Sequence, residues 1–419
     1  MRTRTDPSIR TAGRLSGSVW SADDASLIPG GVTTFSAVVT TGIYCRPGCG
    51  ATPLADNVRT FELAAAAEAA GYRACLRCRP YRVAGPLPSD APELVCRAVQ
   101  LIIDGVLDEG PEAALAARLA ISPRHLRRLF NDHLGLTPDQ LARSRRAHFA
   151  RRLLDDSDLT IAEVAFASGF GSLRQFNRDM REVFRASPRE LRSRRRRSDR
   201  LAADGGLTMR LPFEPSYQWD ATLAVLAVYA VPGVESVQDG VYRRTISLDG
   251  GPGVLEVYSG GADHLLLRAH LPYWEGLIHV AERAGRMVGI DGTGTPGTWA
   301  PLEVAVHAVL TQLHGPDDAR HRLATLVQRL GIPVPGLSHD LTHLFPSTDV
   351  LARAEASPVR QLANAVVNRT VVLDGTERSN DLVTALTAIP DIEPATAHRI
   401  ATRLDVNPRR KTSTTAPHP

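Results

Sequence analysis

Cys45 and Cys49 form a C-x3-C pair in TGIYCRPGCG, and Cys75 and Cys78 form a C-x2-C pair in ACLRCRP. Two short-spaced pairs of this kind can converge on one tetrahedral Zn²⁺, because four thiolates satisfy its preference for soft ligands. A divalent ion held in this way keeps each sulfur deprotonated at neutral pH, so the site has a ready thiolate nucleophile without a separate general base. A structural staple for a small domain is the other chemistry such a site can serve. The fifth cysteine, Cys96, sits in the apolar helical run PELVCRAVQLII and reads as a small buried hydrophobe.

The rest of the chain must position that cluster. At 419 residues it has room for two to four domains, each with its own core. Four of the five cysteines lie between residues 45 and 78, which points to metal or catalysis rather than a disulfide framework. The N-terminus, MRTRTDPSIR, is charged and no apolar stretch of signal-peptide length follows it. The expectation is a soluble, cytoplasmic, nucleoid-associated protein with no membrane partner. Formal net charge is +4, but between Ile121 and Arg200 nineteen Arg face ten Asp plus Glu. A basic excess so concentrated is the footprint of double-stranded DNA or another nucleic acid. The single lysine, Lys411, excludes a P-loop and argues against Schiff-base chemistry.

Composition divides the chain into five stretches. Residues 1–86 hold the cysteine cluster and run into the Pro-rich connector RPYRVAGPLPSDAP. Residues 87–200 return apolar side chains every three or four positions and read as all-α. Residues 206–290 alternate polar and apolar between Gly turns, as in YRRTISLDG and GVLEVYSG, around the helical ATLAVLAVYAV, and read as α+β. Residues 291–408 return to helix, and 409–419 form a polar tail expected to be disordered. The predicted fold class is multidomain α+β. Within 87–200, LAARLAISPRHLRRLFNDHLG and IAEVAFASGFGSLRQFNRDMREVFR each pair an apolar helix with a turn and a second, polar helix. Arg124, His125, Arg127 and Arg128 lie in the first recognition helix, and Arg174, Gln175, Asn177 and Arg178 in the second. Arg can bond guanine bidentately and Gln or Asn adenine, while further arginines meet phosphates.

Three family resemblances follow. TTGIYCRPGCGATPLADNVRTFELAAAAEAAGYRACLRCRP closely resembles the metal-binding domain of the Ada family of methylation-damage regulators, through T-G-I-Y-C-R-P-x-C, N-V and A-A-G-Y-R-A-C-x-R-C-R-P. The resemblance implies Zn²⁺ on Cys45, Cys49, Cys75 and Cys78, in a small α/β domain, with Cys45 accepting a methyl group from a DNA methylphosphotriester. It departs where the family has basic residues and this chain reads GATPLADNV, and in the lead-in SLIPGGVTTF. GF-x-S-x-x-x-F-x-R and F-R-x-S-P-R-E-L-R resemble the AraC family of activators, which implies a tandem helix-turn-helix domain of seven helices and RNA polymerase as a partner. LPFEPSYQWDATLAVLAVYAVPGVESVQDGVYRRTISL, with Tyr217, Trp219 and Asp220, resembles the N-terminal domain of AlkA-type methyladenine glycosylases, and WAPLEVAVHAVLTQL the start of their helical domain.

The last resemblance thins out towards the C-terminus. The hairpin that should read P-G-I-G is Pro390, Asp391, Ile392, Glu393, which is expected to remove the φ > 0 freedom of the turn and to repel phosphate. The chain stops soon after Arg403 without a counterpart of the late catalytic aspartate, and no Pro-Cys-His-Arg segment marks an alkylguanine acceptor. The expected function is an alkylation-responsive transcriptional activator that makes one methyl transfer. Its competitors are a constitutive zinc-containing regulator with an inert Cys45, and a glycosylase, whose base excision is expected to be lost in a degenerate, truncated helix-hairpin-helix region.

Overall fold

The computed structural model describes residues 34–46, 49, 53–82, 91–201, 205–213, 216–249, 251–290, 296–354, 357–373 and 379–404. The expected disordered tail, 409–419, lies outside these residues. The chain divides into two compact units, one of residues 1–203 with 274–282 and the other of 204–273 with 283–419.

The first unit opens with a four-stranded sheet made of β1 (Phe35–Val38), β2 (Ile43–Cys45), β3 (Val58–Phe61) and β4 (Arg73–Ala74), in the order β3-β1-β2-β4. Helix α1 (Ala64–Ala69) buries Ala65, Ala66 and Ala67. Phe35, Tyr44, Phe61 and Tyr72 complete this small core. Strands β1 and β2 are antiparallel, while β2 and β4 are parallel with Tyr44 opposite Ala74. Parallel pairing in that register sends both strands out of the sheet at the same end. The next residue of each chain segment is a cysteine.

Eight helices follow: α2 (Glu93–Ile103), α3 (Val106–Glu109), α4 (Glu112–Arg118), α5 (Pro123–Leu134), α6 (Pro138–Asp156), α7 (Ile161–Ala167), α8 (Leu173–Phe184) and α9 (Pro188–Ser193). The seven-helix expectation gains one short turn, α3, which begins after Gly105 at φ +93°. The helix starts are written locally. Ser122, Thr137, Thr160, Ser172 and Ser187 each accept a backbone N–H three residues on. Gln140, Glu163 and Glu190 close the reciprocal box. Each such cap is worth about 1 kcal/mol and fixes where the helix begins. Helix α6 runs for 19 residues between the two helix-turn-helix pairs and buries Arg146, Arg151, Asp155 and Asp156 among its apolar side chains.

The second unit contains a five-stranded antiparallel sheet, β5 (Leu207–Pro212), β6 (Glu235–Gln238), β7 (Val241–Leu248), β8 (Gly251–Ser259) and β9 (His264–His270), in the order β5-β9-β8-β7-β6. Helix α10 (Trp219–Tyr229) connects β5 to β6, and α11 (Leu277–Met287), which follows β9, is divided between the two units at Glu282. Helices α12 (Pro301–His314), α13 (Pro316–Leu330), α14 (Thr348–Ala352), α15 (Pro358–Val367), α16 (Ser379–Thr387) and α17 (Pro394–Leu404) bury a core that includes Val306, Val309, Leu323, Leu362 and Ile400.

Sheet and helices of this unit are tied by one buried charge cluster. Arg244 of β7 is 1% exposed and bonds Glu235 at 2.8 Å and Glu303 of α12 at 2.9 and 3.1 Å. Burial pushes the Glu303 carboxyl up, against the pull of Arg244. Removing one partner of such a cluster strands the other charges in the interior, which costs more than the pairing itself gains. Arg244→Ala is therefore expected to lose about 3–5 kcal/mol of this unit's stability in urea unfolding, while Arg244→Met combined with Glu303→Leu and Glu235→Gln recovers most of it. An unchanged midpoint for Arg244→Ala would contradict the assignment.

Candidate metal centre and nucleic-acid interface

Cys45 ends β2, and Cys75 directly follows β4, its backbone N–H donating to Tyr44 O at 3.0 Å. Cys49 donates its N–H to Arg46 O, and Cys78 returns through a turn closed by Arg79 N–H donating to Cys75 O. The four Sγ atoms all lie within 4.8 Å of one another. Cys45 is buried at 6% exposure and the other three are half-buried.

Their electrostatics show why a cation belongs among them. Among the sulfurs themselves the Cys78 thiol is depressed to about 5, chiefly by the hydrogen bond from Cys45. The Arg46 backbone N–H also lowers it, against burial. Cys45 is pushed far up, first by that same hydrogen bond and then by burial. Sulfurs this close cannot all be anionic by themselves, and they share protons instead. A soft divalent ion can replace those protons and bond all four donors, so the donor set fits Zn²⁺.

The shoulders of the cluster carry side chains that sequence reading did not single out. Tyr44, next to Cys45, donates its hydroxyl to Glu68 Oε1 at 2.6 Å. Burial, and the Glu68 carboxylate beside it, push the Tyr44 phenol well above its ordinary value and keep it a donor. Arg79, next to Cys78, bonds Asp199 at 2.7 Å and lies 3.6 Å from Asp155. The partners are 24 to 120 positions away along the chain, so no local pattern announces them.

The two helix-turn-helix pairs place the arginines differently. Arg124, Arg127 and Arg128 are exposed on α5, and Arg174 and Arg178 on α8. His125 and Gln175 each donate their backbone N–H to the capping serine of their helix. The Arg128 guanidinium lies 2.9 Å from His125 Nδ1. Arg127 is held by Glu112 of α4 at 2.8 Å, and Arg178 by Asp179 at 3.0 Å. Asn177 turns its amide back to Leu173 O at 2.8 Å.

At the α16–α17 hairpin the structure corrects one sequence argument. Asp391 adopts φ +64° without a glycine, a conformation that Asp tolerates better than most residues. Gln312 of α12 clamps the turn: its amide donates to Asp391 O at 2.8 Å, and its oxygen accepts the Glu393 N–H at 3.0 Å. The loop keeps a left-handed residue, but the Glu393 amide is spent on Gln312.

Comparison with known proteins agrees with these sites. Residues 32–81 match the metal binding domain of Ada, 115–194 a helix-turn-helix domain, and 208–295 the AlkA N-terminal domain. A probable bifunctional transcriptional activator/DNA repair enzyme AlkA of Mycobacterium tuberculosis is 34% identical over 405 residues, covering 88% of this chain and 82% of that protein. The bifunctional transcriptional activator/DNA repair enzyme Ada of Escherichia coli is 34% identical over 158 residues, 37% of this chain and 43% of that one. The HTH-type transcriptional regulator GlxA of Rhizobium meliloti is 39% identical over 100 residues, 24% of this chain and 30% of that one. The Ada metal-binding match and the converging cysteines assign Zn²⁺ as the cofactor. Identity of this extent over most of both chains makes the protein a member of the family of bifunctional transcriptional activator/DNA repair proteins of the AlkA and Ada kind.

Proposed function

We propose that the chain is a DNA-binding transcriptional activator of the alkylation-damage response, and that Cys45 takes a methyl group from a DNA methylphosphotriester. The observation that carries this reading is the convergence of four cysteine sulfurs at the end of a sheet that belongs to the same compact unit as the helix-turn-helix pairs. The relatives' names pair the same two roles, transcriptional activation and DNA repair.

Cys45, Cys49, Cys75 and Cys78 would hold the zinc ion, which when bound keeps the sulfurs as thiolates at neutral pH. Cys45 Sγ attacks the methyl carbon of the phosphotriester. The S–C bond forms as the C–O bond breaks, and the electron pair stays on the phosphate oxygen, restoring an ordinary phosphodiester. No proton moves, because the sulfur enters as thiolate and leaves as thioether. Selectivity comes from charge: a centre of about −2 repels a phosphodiester and tolerates an ester whose charge the methyl group has removed.

Arg124, His125, Arg127 and Arg128 on α5, with Arg174, Gln175, Asn177 and Arg178 on α8, are the proposed contacts to double-stranded DNA. Arg127 and Asn177 must first leave their present partners, so exposed Arg124, Arg128 and Arg174 carry the first encounter. As an activator the protein would work beside RNA polymerase on the nucleoid, in the cytoplasm. Among the described residues no helix is long and apolar enough to cross a membrane.

Intact-mass measurement after incubation with a methylphosphotriester-containing duplex tests the transfer. One methyl group should be gained, peptide mapping should place it on Cys45, and uptake should stop after one turnover. Protein with full zinc content that gains no methyl would leave the constitutive regulator in front. The spent Glu393 amide and the acids around it give the hairpin no grip on phosphate, so alkylated DNA is expected to release no methyladenine above a protein-free control. Release that rises with protein concentration would restore the glycosylase reading.

A further inference from the structure

Both shoulders of the cysteine cluster are bonded to one face of α6. On the first shoulder, Tyr44 is fully buried and its hydroxyl and His148 Nε2 both lie 2.6 Å from Glu68 Oε1. On the second, Asp155 accepts the Tyr81 hydroxyl at 2.9 Å and Arg151 at 2.6 Å, with Arg79 beside it at 3.6 Å. His148 and Asp155 are seven positions apart, two turns of helix, and so share a face. The path does not end at α6. The rings of Tyr81 and His148 pack on Phe184 at the end of α8, with centroids 5.9 and 5.8 Å away.

The carboxylate at this junction is bonded unevenly. Glu68 Oε2 is buried with no hydrogen-bond partner among the described residues, while Oε1 receives both neighbours. A buried carboxylate with one crowded and one empty oxygen can exchange its bonds for a small displacement of Tyr44. Tyr44 is the residue next to Cys45, which is buried and whose sulfur lies within 4.8 Å of three others. A methyl group added there needs room, and Tyr44 is joined to Cys45 by a single peptide bond, so a shift of Cys45 is felt at the Tyr44 hydroxyl.

We propose that Tyr44, Glu68 and His148 form a relay through which the state of the cysteine site sets the position of α6 and of the second recognition helix, α8. His148 and Glu68 are positioning residues that act on Cys45 through Tyr44. The relay acts through bonds and packing, beside the loss of one negative charge when a thiolate becomes a thioether. By linkage, zinc held at the cysteines and DNA held at the helices change each other's affinity by the same factor. In its methylation arm the inference rests on Cys45 being the acceptor.

Hydrogen–deuterium exchange on the full zinc-loaded chain tests it, with peptides spanning α6 and the end of α8 as the readout. Methyl iodide serves as the methyl donor and a zinc chelator supplies a second arm. In the native chain, methylation confirmed by mass on Cys45, or chelation, should raise exchange in these peptides by roughly two- to thirtyfold, the range of coupling carried by packed networks. Zinc-loaded His148→Ala should already show part of this rise and respond less to either treatment. Tyr44→Phe keeps the ring, removes only the hydroxyl, and should behave alike if His148→Ala fails to fold. Unchanged exchange in methylated native chain, or an equal response in native chain and variant, overturns the relay. If no methyl reaches Cys45, the acceptor reading fails by itself, and the chelation arm still decides the relay.

Discussion

Four sulfurs within 4.8 Å of one another cannot all carry charge without a cation among them, and much of the first unit is organised around that constraint. The parallel pairing of β2 with β4 brings Cys45 and Cys75 out at one end of the sheet. Cys49 joins them, and the turn after β4 brings back Cys78. A sheet of this size, with short strands and a helix mostly of alanine, has little apolar area to bury. Metal binding is folding free energy in such a case, so the state of the sulfurs and the shape of the domain vary together.

The same residues also join the domain to its neighbour. Tyr44 and Arg79 flank the first and last cysteine, and both reach α6 or the residues bonded to it. The Arg79, Asp155, Arg151 and Asp199 group is buried charge balanced by charge, which fixes geometry more than it adds stability. The second unit uses the same device once more, with Arg244 between Glu235 and Glu303.

The cysteine pairs and the basic stretch are read from the sequence, and the helix starts are there to be read as well, because each is a local signal. Spacing within a few residues sets a metal turn, and Ser-x-x-Glu or Thr-x-x-Gln sets a cap. The Tyr44–Glu68–His148 group was not legible, since its members lie 24, 80 and 104 positions apart in pairs and none stands in a pattern of its own. The hairpin was misread for the opposite reason. Its local sequence lacks glycine, but Asp391 takes the left-handed conformation and Gln312, from a distant helix, stabilises the turn. Local rules fail where a long-range partner supplies what the local residue lacks.

A change of charge at the cysteine site should alter how tightly the protein holds DNA. A thiolate converted to a thioether takes the zinc centre from about −2 to about −1, and one unit of charge beside phosphates shifts affinity by a factor that falls with salt. Fluorescence anisotropy of a duplex selected from a random-sequence library, titrated with methylated and unmethylated protein across a series of salt concentrations, measures this directly. The methylated form should bind more tightly, with a gap that narrows as salt rises. Equal affinities at every salt concentration would contradict it.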